Sequence, residues 1–257
     1  MALIVLSFLF ILLSSASACD RCLHQSKATY TGSLFTSGSC GYGPLAMNFN
    51  GGLLAAGQPS LYKEGAGCGA CYKVRCKHPG LCRSQGTTVM LADSHGDSSR
   101  DFVLNKKAMI TMANKGHSEN LLKLGVVDIE YKRVPCYYRG NLALRVEEAS
   151  NKPYYLAIKI LYQGGQTEIT AVDVAMVGSR NWNPMRRTHG AVWDAQKMLS
   201  GPLKFRFLVN SGYYYRKYYE TRSVLPSNWR SGVIYDAGIQ IKDIAQEKCY
   251  RCDATFW

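Results

Sequence analysis

The sequence predicts an all-β protein in two parts: a disulfide-stapled N-terminal half, then an aromatic-rich C-terminal half on the scale of a small β-sandwich. Three observations carry that expectation. Runs that partly alternate apolar with polar residues recur between Gly, Pro, Asn and Ser, while helix-period stretches are short. Seven of the ten cysteines lie between residues 19 and 90, an eighth at 136 and two at the far C-terminus. All four tryptophans and ten of the seventeen tyrosines come after residue 150.

From the N-terminus, Met1 to Ala18 carry no charge, hold an apolar run from Leu3 to Leu13 and end in Ala16-Ser17-Ala18, a small-x-small pattern that signal peptidase accepts. Residues 1–18 are therefore expected to be an export signal, with the mature chain starting near Cys19. No later stretch reaches the eighteen or more apolar residues of a membrane span, so no membrane partner is expected. The composition changes near Glu147 to Pro153, a polar stretch that reads as a linker with proline as a stop. The expected domains are residues 19–150 and 151–245, followed by a tail, 246–257, that carries Cys249-x-x-Cys252.

In the first half, Thr88 to Ala92, Val126 to Val134 and Leu142 to Val146 suit strands, and helix is limited to pieces around Gly51 to Leu61 and Lys106 to Met112. In the second half, Tyr155 to Tyr162, Glu168 to Val177, Leu203 to Val209 and Val233 to Ile241 are strand-like. The dense run Tyr213 to Tyr219 reads either as an exposed hairpin or as edge strands with alternate tyrosines buried.

Net charge is +13, and the leader contributes none of it. Residues 19–150 hold sixteen basic against ten acidic side chains, and 151–257 fifteen against eight, so both halves are basic. Outside the cell such a surface meets acidic polysaccharides rather than nucleic acid, and a polyanionic matrix is the favoured surrounding. Arg180, Arg186, Arg187 and Lys152 are candidates for ionic attachment to it.

Three Cys-x-x-Cys pairs, Cys19/Cys22, Cys68/Cys71 and Cys249/Cys252, could on paper make a zinc site. In an exported chain with no balancing His pattern, structural disulfides are expected instead, with no metal and no cofactor. The five histidines sit in unrelated contexts, and no Gly-x-Ser-x-Gly elbow, His-Glu-x-x-His helix or phosphate-binding glycine loop is present. There is no Asn-x-Ser/Thr acceptor for N-glycosylation.

Ala28-Thr29-Tyr30, Gly38-Ser39-Cys40-Gly41-Tyr42, Cys68-Gly69-Ala70-Cys71-Tyr72-Lys73-Val74-Arg75-Cys76, Val134-Pro135-Cys136 and Leu225-Pro226-Ser227-Asn228-Trp229 together resemble the ordered landmarks of plant expansins. The leading and trailing Cys-x-x-Cys pairs, with Val146 to Ser150 and Tyr162 to Gln166, look most like the expansin-like A branch. The resemblance implies a six-stranded double-psi β-barrel, similar to family 45 glycoside hydrolases, followed by an immunoglobulin-like β-sandwich that binds cellulose. It also implies the disulfides Cys40 with Cys68, Cys71 with Cys136 and Cys76 with Cys82. Cys19, Cys22, Cys249 and Cys252 then pair among themselves, as two local loops or as a tie between the termini.

Glycoside hydrolysis by inversion needs two carboxyls about 6.5–9.5 Å apart, one as acid and one as base. Asp93 matches the aspartate that expansins carry at the end of a barrel strand. Their second aspartate, the proposed general acid, falls where this chain reads Asp101-Phe102-Val103, so the acid position becomes Val103. Valine carries no proton to donate, and the chain is expected not to be an enzyme. Asp101, two residues away and on the same side of a strand, is left as the one possible stand-in. Asp93 itself reads either as a strand-end cap or as a polar member of a glycan groove with Thr29 and Tyr30.

For sugar stacking, the resemblance points to Tyr155, His189 and Trp193, with His189 standing where expansins usually carry tryptophan. Trp182 and Trp229 read as core residues. The aromatics and charge point to a wall protein that binds cellulose and matrix polysaccharides, and the resemblance to expansins implies that it is a monomer and loosens them without cleavage. A family 45-like hydrolase, and a structural or defence module similar to barwin-type barrels, are the rivals.

Overall fold

In the computed structural model, residues 23–196, 199–210 and 216–245 are described. The leader, the four terminal cysteines, and Tyr213 to Tyr215 of the tyrosine run lie outside them.

The first six strands are β1 (His24–Thr31), β2 (Leu54–Gly57), β3 (Cys71–Cys76), β4 (Thr87–Ser94), β5 (Phe102–Asn105) and β6 (Val126–Val134). They close into a barrel in the order β1-β5-β2-β4-β3-β6, with β6 returning antiparallel to β1. Strand alternation fills it: Val74, Val89, Leu91, Phe102, Leu104 and Ile129 are fully buried, while neighbours such as Lys73 and Thr88 stand on the outside. Two short helices, Lys106–Thr111 and Ser118–Leu124, pack against one side. The first is capped by the Asn105 side chain, which accepts from Ala108 N at 3.0 Å.

The remaining strands are β7 (Ala143–Val146), β8 (Leu156–Leu161), β9 (Glu168–Met176), β10 (Asn183–His189), β11 (Val192–Ala195), β12 (Leu203–Asn210), β13 (Arg216–Glu220) and β14 (Ile234–Asp236). One ladder, β13-β12-β9-β10-β11-β8-β7-β14, curls into a sandwich because β10 serves both layers. Its residues Asn183 to Met185 pair with β9, and Arg186 to His189 pair with β11. The enclosed core holds Leu144, Ile158, Val172, Val174, Phe205 and Phe207. Phe205 and Phe207 have no exposed surface, each worth about 2–3 kcal/mol of burial.

The double-psi barrel and the second β-layered unit agree with the expected fold. Cys40 with Cys68, Cys71 with Cys136 and Cys76 with Cys82 are bonded, at Cα separations of 5.5, 5.4 and 5.7 Å.

Three local expectations are corrected. Around 51–61 the helical pieces are Asn50–Gly52 and Pro59–Tyr62, but Leu54-Ala55-Ala56-Gly57 between them is a barrel strand, because a short, wholly buried apolar run has no period to distinguish the two. Between Val233 and Ile241 only Ile234–Asp236 pairs, as an edge strand on β7. Glu147 to Pro153 connects β7 to β8 inside the second sheet, since polar residues with proline mark any turn and not only a linker.

The two halves meet over a third apolar cluster that includes Tyr42, Phe49 and Met90 from the first and Leu161 and Ala191 from the second. Polar contacts fix the register of this junction. Ala191 N donates to Cys40 O at 3.1 Å, and Cys136 and Gly165 exchange backbone bonds of 2.8 and 3.1 Å. Glu168 accepts from Lys63 Nζ at 2.8 Å and from the buried Arg133 at 2.9 Å.

Candidate functional site

Register builds one row on the outside of the barrel wall, with Ala56 and Val103 packed against the apolar cluster at the junction. Thr29 pairs with Val126 on one side and Val103 on the other, Val103 with Ala56, and Ala56 with Asp93. Partners in adjacent strands point to the same side, so Val126, Thr29, Val103, Ala56 and Asp93 form a row across five strands. The alternate residues Ala28, Ala55, Leu91, Phe102 and Leu104 fill the barrel, which puts the row on its outer surface. Asp93 aligns because a bulge after Ala55 moves the β2–β4 pairing by one residue.

Asp93 is held firmly. Its Oδ1 accepts from Ser39 N at 2.6 Å, Ser39 Oγ at 2.7 Å and Ser94 N at 2.8 Å, while Oδ2 takes no bond from the described residues. The Ser39 loop comes this close because residue 38 is glycine: a Cβ there would sit 2.5 Å from Ala92 O. Tyr62 donates to Ser39 O at 3.2 Å and lies beside the Gly190 backbone of the second half. Burial first, and the Asp93 charge second, raise its phenol above the ordinary tyrosine value. A line Asp93–Ser39–Tyr62–Gly190 thus joins the barrel row to the second sheet. Ser39 lies in the Gly38 to Tyr42 landmark, but neither it nor Tyr62 is marked by the sequence as a partner of Asp93, because those contacts are distant in the chain.

Two strand steps separate Val103 from Asp93, roughly 10 Å between backbones. The side chain facing Asp93 across Ala56 is therefore the valine. Asp101 is engaged elsewhere. Its Oδ1 accepts from Gln58 Nε2 at 2.8 Å, and its Oδ2 from the hydroxyl of Tyr131, whose ring packs in the barrel against Phe102. Both its oxygens are occupied at that end of the barrel.

Of the matched groove positions, Thr29 and Asp93 share the row, and Thr29 Oγ1 donates to Gly125 O at 2.8 Å. Tyr30 does not: as the next residue it points to the opposite side and packs on the barrel core.

In the second half, Trp193 is corrected from platform to core. It is 4 % exposed, on the inner face of β11, with the Arg187 guanidinium 4.2 Å from its ring centroid. Arg187 is half-buried, donating to Gly65 O at 3.2 Å and to the carbonyls of Gly190 and Ile169. Tyr155 is half-buried and donates to Asp194 Oδ2 at 3.2 Å, which Arg186 also grips at 2.9 Å. His189 is exposed and lies against Gly41, where a Cβ would come within 2.8 Å of its Nε2. Trp229 is core, as expected, and Trp182 is half-buried.

The described residues hold no cluster of His, Cys, Asp and Glu fit to bind a metal, and no helix long and apolar enough to cross a membrane.

Comparison with known proteins converges on this architecture. A family model described as Expansin C-terminal domain matches residues 142–226, and a double-psi barrel model described as Lytic transglycolase matches residues 54–131. A Clavibacter michiganensis expansin superposes with TM-score 0.65 as a point mutant in complex with cellohexaose, and 0.64 in its apo form. Both are 20% identical, covering 85% of this chain and 97% of theirs. The class is thus a two-part β-protein of expansin architecture.

The curated relatives narrow it. Expansin-like A1 and Expansin-like A3 of Arabidopsis thaliana are 54% and 55% identical over 99% and 97% of this chain, and over 97% and 96% of their own lengths. Expansin-like A3 of Oryza sativa is 43% identical over 94% of the chain and 91% of its own. The chain belongs to the plant expansin family, in its expansin-like A branch.

Proposed function

We propose that this protein works outside the cell, binding cellulose and matrix polysaccharides of the wall along the Val126-Thr29-Val103-Ala56-Asp93 row, and that it loosens them without cutting. The observation that carries the reading is Val103, in register between Thr29 and Asp93 where a proton donor would have to stand. Val126 and the half-buried Val103 offer apolar surface to the C–H faces of sugar rings, while Ala56 between Val103 and Asp93 is buried. The free Asp93 Oδ2 and the remaining lone pairs of Thr29 accept hydroxyls at either side, each bond worth about 1 kcal/mol net. Such contacts compete with those between neighbouring glycans, which is the physical content of loosening. The cellohexaose complex of the Clavibacter relative supports the ligand class.

Tyr155 and His189 extend the surface past the junction, and the chain acts as a monomer, without metal, cofactor or nucleic acid. We place the division between its two domains before β7.

The test is creep of heat-inactivated plant wall under constant load, with purified protein in acidic buffer and soluble reducing sugar measured alongside. Extension without sugar release is expected. Release of reducing ends in step with extension would make the protein a hydrolase and overturn the reading.

A further inference from the structure

The second sheet has an outer face that the barrel row does not use. On β12, Leu203, Phe205, Phe207 and Val209 enter the core, so Lys204, Arg206 and Leu208 point outward. Register sets Arg206 between Asp173 of β9 and Glu220 of β13, and Leu208 between Ala171 and Tyr218. The Arg206 guanidinium lies 4.7 Å from the Trp182 centroid and 4.6 Å from that of Tyr218, a ring-cation-ring ladder that runs from the residue before β10 to β13. Tyr218 is 50% exposed.

The acids on this face are already engaged, Glu168 at its junction end by Lys63 and Arg133. Asp173 accepts from Arg206 Nε at 2.7 Å and Glu220 from Lys204 Nζ at 2.8 Å. Arg216 begins β13 on the same side as Tyr218, and Arg180 and Arg222 flank the sheet. All three are exposed, and none has an acidic partner among the described residues. The face therefore carries surplus guanidinium charge around half-open aromatic rings.

We propose that this face binds an anionic polysaccharide whose sugar rings carry carboxylates. A planar guanidinium matches a carboxylate with two parallel hydrogen bonds, and a tyrosine or tryptophan ring packs against the sugar between successive charges. The site is separate from the barrel row and stands whether or not that row binds cellulose.

The test is retardation of the full chain in native gels containing polygalacturonate, across a salt series, with pelleting on cellulose measured in parallel. Substituting Arg180→Gln, Arg216→Gln and Arg222→Gln together should weaken polygalacturonate binding about tenfold and flatten its salt dependence, as three exposed charge contacts require. Tyr218→Ala alone should weaken it several-fold without changing net charge. Substituting Lys106→Gln, Lys115→Gln and Lys123→Gln, exposed on the two barrel helices and the turn between them, removes the same charge and should change binding far less. Equal losses in the two triple variants, or a Tyr218→Ala chain that binds like the parent, would overturn the proposal. Cellulose pelleting should stay unchanged in all of them, so failure of the barrel reading is scored separately.

Discussion

Gly190→Ala is the sharpest probe of how the two halves are held together. Gly190 has φ +49°, and a Cβ there would lie 2.4 Å from Cys40 Cα and 2.5 Å from Cys40 C and O. These are backbone atoms of a loop pinned by the Cys40–Cys68 disulfide, so they do not move aside as the end of a flexible side chain would. Ordinary van der Waals contact needs about 1 Å more, which breaks the 3.1 Å bond from Ala191 N to Cys40 O. Left-handed backbone costs alanine about 1 kcal/mol, overpacking about 1–3 and the lost bond about 1. The expected total is about 4 kcal/mol, or roughly 10 °C in Tm for a chain of this size. Calorimetry measures the shift, and small-angle scattering reports whether the halves separate. A variant that melts within about 1 °C of the parent, with an unchanged radius of gyration, would refute the claim that backbone contact at Gly190 sets the junction.

Glu168→Ala should cost about 3 kcal/mol in a thermal melt, because Arg133, its side chain 4% exposed, loses its carboxylate partner; Glu168→Gln should cost about half that. Trp193→Ala should lower stability by about 3–5 kcal/mol and leave glycan affinity intact at temperatures where the variant is folded; lost pelleting with an unchanged Tm would make it a platform after all. Asp93→Ala should weaken glycan binding about tenfold, whereas Asp101→Asn should leave binding alone and cost about 1–2 kcal/mol, a contrast that parallel pelleting and urea curves resolve. The hydrogen bond from Arg145 holds the Glu148 carboxyl down at about 2, against an ordinary 4.5. Its contribution is therefore present above pH 4.5 and lost as pH falls toward 2, a loss under about 1 kcal/mol because the side chain is 68% exposed. An NMR titration in which Glu148 takes up its proton near pH 4.5 would show the pair absent in solution.

Val126 to Val134 forms β6 with the predicted bounds, since alternation over nine residues leaves little else it could be. The short apolar run at Leu54 has no such period, and only its burial between β5 and β4 makes it a strand. Leu142 to Val146 was legible as a strand but not as a member of the second sheet, because partner choice is a long-range contact that composition does not encode.

The site divides in the same way. By itself the sequence determined the landmark cysteines, the family they mark, the valine at the acid position and the basic surface, because residue identity alone carries that information. Only the tertiary structure decided which residues share a face. It took the barrel register to align Thr29, Val103 and Asp93 while turning Tyr30 away, and the close approach of the Gly38 loop to β4 to bring Ser39, and Tyr62 behind it, to Asp93. The sandwich register buried Trp193 and left Trp182, Arg206 and Tyr218 as the outward ladder. A strand's two faces differ by one residue, and the side that meets a core is fixed by neighbours far away in the chain.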